Sequence, residues 1–260
     1  MKKIQNDVND NGVSINRLEK PTDRSIFIVG GIFTLLVLAG ILIDVIIGNI
    51  TGGDLSSLPK TAVDRFIQFQ DHCLLGLYNL DCLNMINQIM MIPVYLALYV
   101  ANRNSGSSYS LLALIVFLMG TAIMVAGNTS LTMLDLSNKY AAANSDTQKI
   151  LFAAAGEAML AKGSHGSLGV FMGFALPNIA GIIMSLVMLK GKVFGKITAY
   201  LGLIGSVLIL TYLILVTFIP AVEKQAVFFA MPGGLLSMTW MILFGIKFFQ
   251  LGSKRNLLKV

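Results

Sequence analysis

Asp81, Asn84 and Gln88 stand at positions i, i+3 and i+7 in the stretch LYNLDCLNMINQIMMIPVYLALYV, residues 77 to 100. On a helix that spacing lays them along one face. The same line continues through Ile92, Tyr95 and Tyr99, while Leu83, Met90 and Leu98 fall on the opposite side. The stretch is long enough to cross a bilayer, and a charged side chain at mid-bilayer costs at least about 2.5 kcal/mol. The polar stripe is therefore expected to turn inward. Two chemistries fit it. One is a polar pocket opening outward, lined by Asp44, Asp81, Asn84, Gln88, Asn128, Glu157 and Asn178, with Asp81 as its ionisable group. The other is hydrogen bonding between helices, about 0.6 kcal/mol per bond, with Asn128, Thr129, Ser130 or Asn178 as partners.

Other reactive residues offer less. His72 and His165 are the only histidines, and no H-x₃-H spacing accompanies them, so no metal site or cofactor is expected. Ser164-His165-Gly166-Ser167 puts a base beside two serines, but neighbours in sequence do not make a triad in space. It reads as a turn. The glycines fall within apolar runs and form no phosphate loop. Cys73 and Cys82 would lie about 13 Å apart on opposite faces of a continuous helix, too far for a disulfide. Two buried thiols are expected.

The elements that must position these residues follow from composition. The chain is 55% hydrophobic and 12% charged, with mean hydropathy +0.77. A soluble domain carries about 25% charged residues, so most of this surface does not face water. The fold class expected is an all-α, polytopic membrane bundle of six helices. The spans run from Ser25 to about Ile47, from Leu74 or Asp81 to Val100, and from Leu111 to about Leu134. They continue with Leu168 to Leu189, Val193 to Ile219 and Phe228 to Phe248. The organisation is a flexible cytoplasmic tail over 1–24, a membrane domain over 25–250 and a C-terminal tail over 251–260. The polar first 24 residues and the long first span read as an uncleaved signal-anchor.

Lys and Arg set the orientation. Thirteen fall on the side of the two termini and six on the other. Both termini are expected in the cytoplasm of a bacterium, with the protein in its cytoplasmic membrane. Outside the N-terminal tail, all nine acids fall in the outer half or beyond it. The net charge of +6 is explained by this asymmetry, and no nucleic-acid partner is expected. Lipid is the expected environment, and a small-molecule or lipid ligand the candidate partner.

Two outer segments read as helices, residues 61–72 and about 145–162. The second has Ser145 as N-cap and Gly163 as its stop. It is apolar nearly all round, which favours burial, and is expected to lie across the outer mouth of the bundle. Small residues four apart (Gly169 and Gly173, Gly202 and Ser206, Gly233 and Ser237) let helix backbones approach closely. No internal repeat is evident, which weakens an inverted-repeat transporter reading.

The second half carries a resemblance. LDLSNKYAAANSDTQKILFAAAGEAMLA (residues 134–161) precedes a Gly-rich span, a K-x-F-G-K turn and the span ITAYLGLIGSVLIL. This pattern resembles bacterial membrane proteins of the domain-of-unknown-function 4386 family. The resemblance implies about six spans, with an A-A-G-E-A-like outer segment between the third and fourth. It implies no activity, so no catalytic residue carries over. The leading functional reading is non-enzymatic: binding, sensing or moving a small or lipid-like ligand. The alternatives are a membrane enzyme with an outer carboxylate or metal centre, and a structural or partner-binding subunit.

Overall fold

A computed structural model describes residues 21–50, 59–163 and 167–253. Residues 1–20 of the tail expected over 1–24, Asp54, residues 164–166 with His165, and residues 254–260 lie outside the described residues, and residues 21–24 belong to the first helix.

The described residues form α-helices with one short 3₁₀ turn and no strand. In chain order they are α1 (Pro21–Ile50), α2 (Ala62–Asp71), α3 (Cys73–Tyr78), α4 (Cys82–Gly127), α5 (Ser130–Ala141), α6 (Asp146–Gly163), α7 (Leu168–Lys190), α8 (Lys196–Phe218) and α9 (Glu223–Ser253). Among the described residues, five stretches are long and apolar enough to cross a membrane: Arg24–Ile50, Cys82–Ala141, Asp146–Lys190, Lys196–Phe218 and Gln225–Ser253.

One of these turns back on itself. At Gly106 the α4 backbone leaves helical geometry, with φ 175° and ψ 62°. The rings of Tyr95 and Phe117 stack with centroids 3.9 Å apart. Along one straight helix those residues would be roughly 33 Å apart. Thus α4 is two antiparallel arms, 82–105 and 107–127, and the layout has six apolar arms. They close into a ring: α1 packs on α4, α4 on α7, α7 on α8, α8 on α9, and α9 back on α1. The shared core holds Val94, Leu98, Phe117, Met184, Trp240 and Phe244. Leucines and isoleucines such as Leu35, Ile46 and Ile204 point outward, as lipid-facing positions should.

Small residues set the closest approaches. A Cβ on Gly205 would lie 2.7 Å from Ser237 Oγ and 3.0 Å from Ser237 N. A Cβ on Gly173 would lie 3.0 Å from Met124 Cα, and one on Gly120 would lie 2.6 Å from Pro177 Cδ. Without side chains at these positions, backbones pack directly.

At one end of the ring, α2, α3, α5 and α6 form a cap with its own core of Ala62, Phe66, Phe69, Leu80, Met133 and Leu160. The expected helix over 61–72 is α2. The Thr61 hydroxyl accepts from Asp64 N at 3.1 Å, an N-cap bond. The helix expected over 145–162 is α6, and Ser145 Oγ accepts from Gln148 N at 3.3 Å.

Three expectations are corrected here. The expected third span to Leu134 ends at Gly127, because Asn128 Oδ1 accepts from Ser130 N and starts a new helix, α5. Helix α6 packs on α5, α2 and α7 and does not lie across the mouth of the ring. The segment holding the cysteines is broken at 79–81, and Cys73 is exposed rather than buried.

Candidate functional site

Asp81 sits at the break between α3 and α4, with φ 59° and ψ 23°. This is the left-handed region, which costs most residues about 1–2 kcal/mol, and which Asp and Asn tolerate best. The turn is closed by Asp81 N donating to the Tyr78 carbonyl at 3.0 Å. The carboxylate is then buried, with 6% of the residue exposed. Asn84, one turn on, donates to Asp81 Oδ1 at 2.9 Å.

The sequence reading missed the countercharge. Arg65 on α2 is 5% exposed and feels the Asp81 carboxylate. Burial pushes its guanidinium below the ordinary arginine value, and Asp81 pushes it back up. A signal was present. Arg65 lies on the face made by Ala62, Phe66 and Phe69, the i, i+3, i+4, i+7 stripe buried in the cap.

Tyr78 joins the cluster to α1. Its hydroxyl donates to the Asp44 carbonyl at 3.0 Å. Burial, then the neighbouring Asp44, raise the phenol to about 12, with a further push from Asp81. It therefore stays a proton donor at neutral pH. Asp44 and Tyr78 are half-buried and form the accessible side of the cluster.

The other expected residues divide. Asn128 flanks the cluster, donating to the Leu80 carbonyl at 2.9 Å. Glu157 does not join it. Its Oε1 accepts from Ala62 N at 2.6 Å, so this carboxylate caps the start of α2, where negative charge is favourable. Glu157→Ala should cost about 0.5–2 kcal/mol, the usual value of such a cap. Amide exchange measured at Ala62 should rise with it.

Gln88 and Asn178 also lie outside the cluster. Pro177 within α7 has no N–H, so the Gly173 carbonyl four residues earlier loses its helical donor. Gln88 Nε2 supplies one, at 3.1 Å, and also reaches Thr121 Oγ1 at 3.5 Å. Tyr95 OH donates to the Pro177 carbonyl at 3.4 Å. Asn178 bonds within its own helix, to the Phe174 carbonyl at 2.9 Å. The deep part of the stripe therefore binds α4 to a proline-interrupted α7. Gln88→Leu should cost about 0.6–1.7 kcal/mol, read as a lower midpoint of detergent-induced unfolding.

Gln88, Tyr95 and Asn102 recur every seven residues along the first arm of α4. Asn102 is fully buried and reaches Met184 Sδ at 3.8 Å. This seam against α7 extends the polar stripe to the far end of the arm.

The cluster is thus Asp44, Arg65, Tyr78, Asp81 and Asn84, held where α1, α2, α3 and α4 meet. Chemically it offers two carboxylates, a guanidinium and a phenol at the end of an apolar ring. Among the described residues, no three His, Cys, Asp or Glu converge as metal ligands. A surface groove bordered by Ile246, Phe249, Gln250 and Ser253 lies at the far end of α9 and touches none of these residues.

Comparison with known families places the chain. Residues 26–245 match the family model described as "Domain of unknown function (DUF4386)". No curated protein matches, and neither does any solved structure. The chain belongs to the DUF4386 family.

Proposed function

We propose that this member of the DUF4386 family binds, senses or moves a small or lipid-like ligand at the cluster beneath its cap. Its six arms would each cross a bacterial cytoplasmic membrane, with the cap outside and both termini in the cytoplasm. Arg103, Lys190, Lys192, Lys196 and Lys247 support that orientation. They lie at the end of the ring away from the cap, and cytoplasmic loops carry the excess of Lys and Arg.

The observation that carries the ligand reading is Asp81, a buried carboxylate in a left-handed backbone and in the field of a buried guanidinium. Both features cost stability. Such costs persist where function holds them. The half-buried pair Asp44 and Tyr78 provides the approach. An adjacent stretch of α1 exposes Leu42, Ile43, Val45 and Ile46, so a ligand with an apolar body would find lipid-like surroundings beside the charged groups.

Thermal denaturation of purified wild type and Asp81→Asn tests this reading, using membrane lipid extracts and a panel of small polar and amphiphilic compounds. At least one class should raise the wild-type midpoint and leave the variant unmoved. A wild type that no class stabilises, or equal shifts in both proteins, would contradict it.

A further inference from the structure

The middle of the exposed face of α6 is apolar, bordered by the exposed Glu157 and Lys162. Ile150 is 70% exposed and Leu151 65%, and Ala154, Ala158 and Ala161 are exposed as well. At 100° per residue these five, with Thr147, fill an arc of about 100° and include no charge. The opposite face carries Gly156, Leu160 and Gly163, which are buried in the protein. So α6 is apolar on two sides, and the described residues cover only one.

The surroundings of α6 indicate what covers the other. Its C-terminal end is fixed to the end of the apolar ring. Lys162 Nζ donates to the Ala126 carbonyl at 3.0 Å, and Gly163 packs against Thr129 and the Gly127 carbonyl. Only residues 164–167 separate α6 from α7, one of the apolar arms. Leu131 and Leu168, at the same end, are 63% and 69% exposed. The lipid-facing belt of the arms thus runs on through these residues to the stripe on α6.

We infer that α6 is an interfacial helix, resting its Ile150–Leu151–Ala154–Ala158–Ala161 stripe in the lipid leaflet at the cap end. Its length, about 27 Å at 1.5 Å per residue, lies along the membrane plane. Helices of this kind bury an apolar face several ångströms into the boundary between headgroups and acyl chains. The cap is then tied to the bilayer as well as to the ring.

The chain has one tryptophan, Trp240, which makes a second one readable. Leu151→Trp is placed in a Trp240→Phe background and reconstituted into phosphatidylcholine vesicles containing lipids brominated near the headgroup end of the acyl chain. The new tryptophan should emit to the blue of one in water and lose most of its emission to the brominated lipid. Aqueous iodide should quench it weakly. Emission at the water position, strong iodide quenching and no effect of bromine would overturn the inference. So would protection from both quenchers in a protein that runs as a dimer, because a second copy would then cover the stripe. Should Trp240→Phe fail to fold, the same signals are read as the difference between Leu151→Trp and the unmodified protein, with the same two outcomes.

Discussion

Asp81→Ala is expected to be the most damaging single substitution in the cap. It removes the carboxylate whose charge raises the Arg65 guanidinium, a residue 5% exposed. The field of that carboxylate opposes the burial penalty of the guanidinium, and a buried charge left less compensated costs on the order of a few kcal/mol. It also places alanine at φ 59°, where a Cβ without a locally bonding side chain adds about 1 kcal/mol. Such a loss is comparable to the whole stability of many domains. The variant should be largely unfolded in detergent at temperatures where the wild type is folded. A graded series separates the causes. Asp81→Gly should recover the backbone part, and Asp81→Asn should keep both the backbone and a bond to Asn84. Arg65→Met combined with Asp81→Asn should be more stable than Asp81→Asn alone, since no buried charge remains. A double variant no better than the single one would show that the guanidinium is not held by Asp81.

Gly205→Leu should come next. A Cβ there already falls 2.7 Å from Ser237 Oγ, 3.0 Å from Ser237 N and 3.2 Å from the Gly233 carbonyl. Two of those three atoms are backbone and cannot rotate away, so α8 and α9 must separate. Overpacking of this kind costs about 1–3 kcal/mol. The control is close by. A Cβ on Gly234 would meet nothing within 4 Å, so Gly234→Leu should change stability by no more than about 0.5 kcal/mol. Detergent-induced unfolding followed by circular dichroism reads both. Equal midpoints for the two variants would contradict the packing described for α8 and α9.

The spans were legible because hydrocarbon selects strongly for apolar runs, and a run such as Lys196–Phe218 carries that signal alone. The inward turn of Gln88 was legible for the same reason, since its amide finds the Gly173 carbonyl and not lipid. What the amide does there depends on Pro177, which is 89 positions away in sequence. No periodicity links the two. The left-handed turn at Asp81 was hidden because Asp is compatible with helix, cap and turn alike. It separates α3 from α4, so Cys73 and Cys82 stand on different helices. Glu157 was placed in the pocket on its charge alone. It went instead to the nearest unpaired backbone donors, those at the start of α2. Arg65 was the reverse case, a residue counted for topology whose spacing with Phe66 and Phe69 already placed it on a buried face.

Native mass spectrometry of protein extracted gently from its own membrane tests directly whether the cluster under the cap holds a ligand. Asp44→Asn is the variant to compare, since it leaves both Arg65 and Asp81 in place. The wild type should carry a bound species of defined mass that Asp44→Asn has lost while remaining folded. A wild type free of any bound species, or one whose bound mass survives in Asp44→Asn undiminished, would contradict the account.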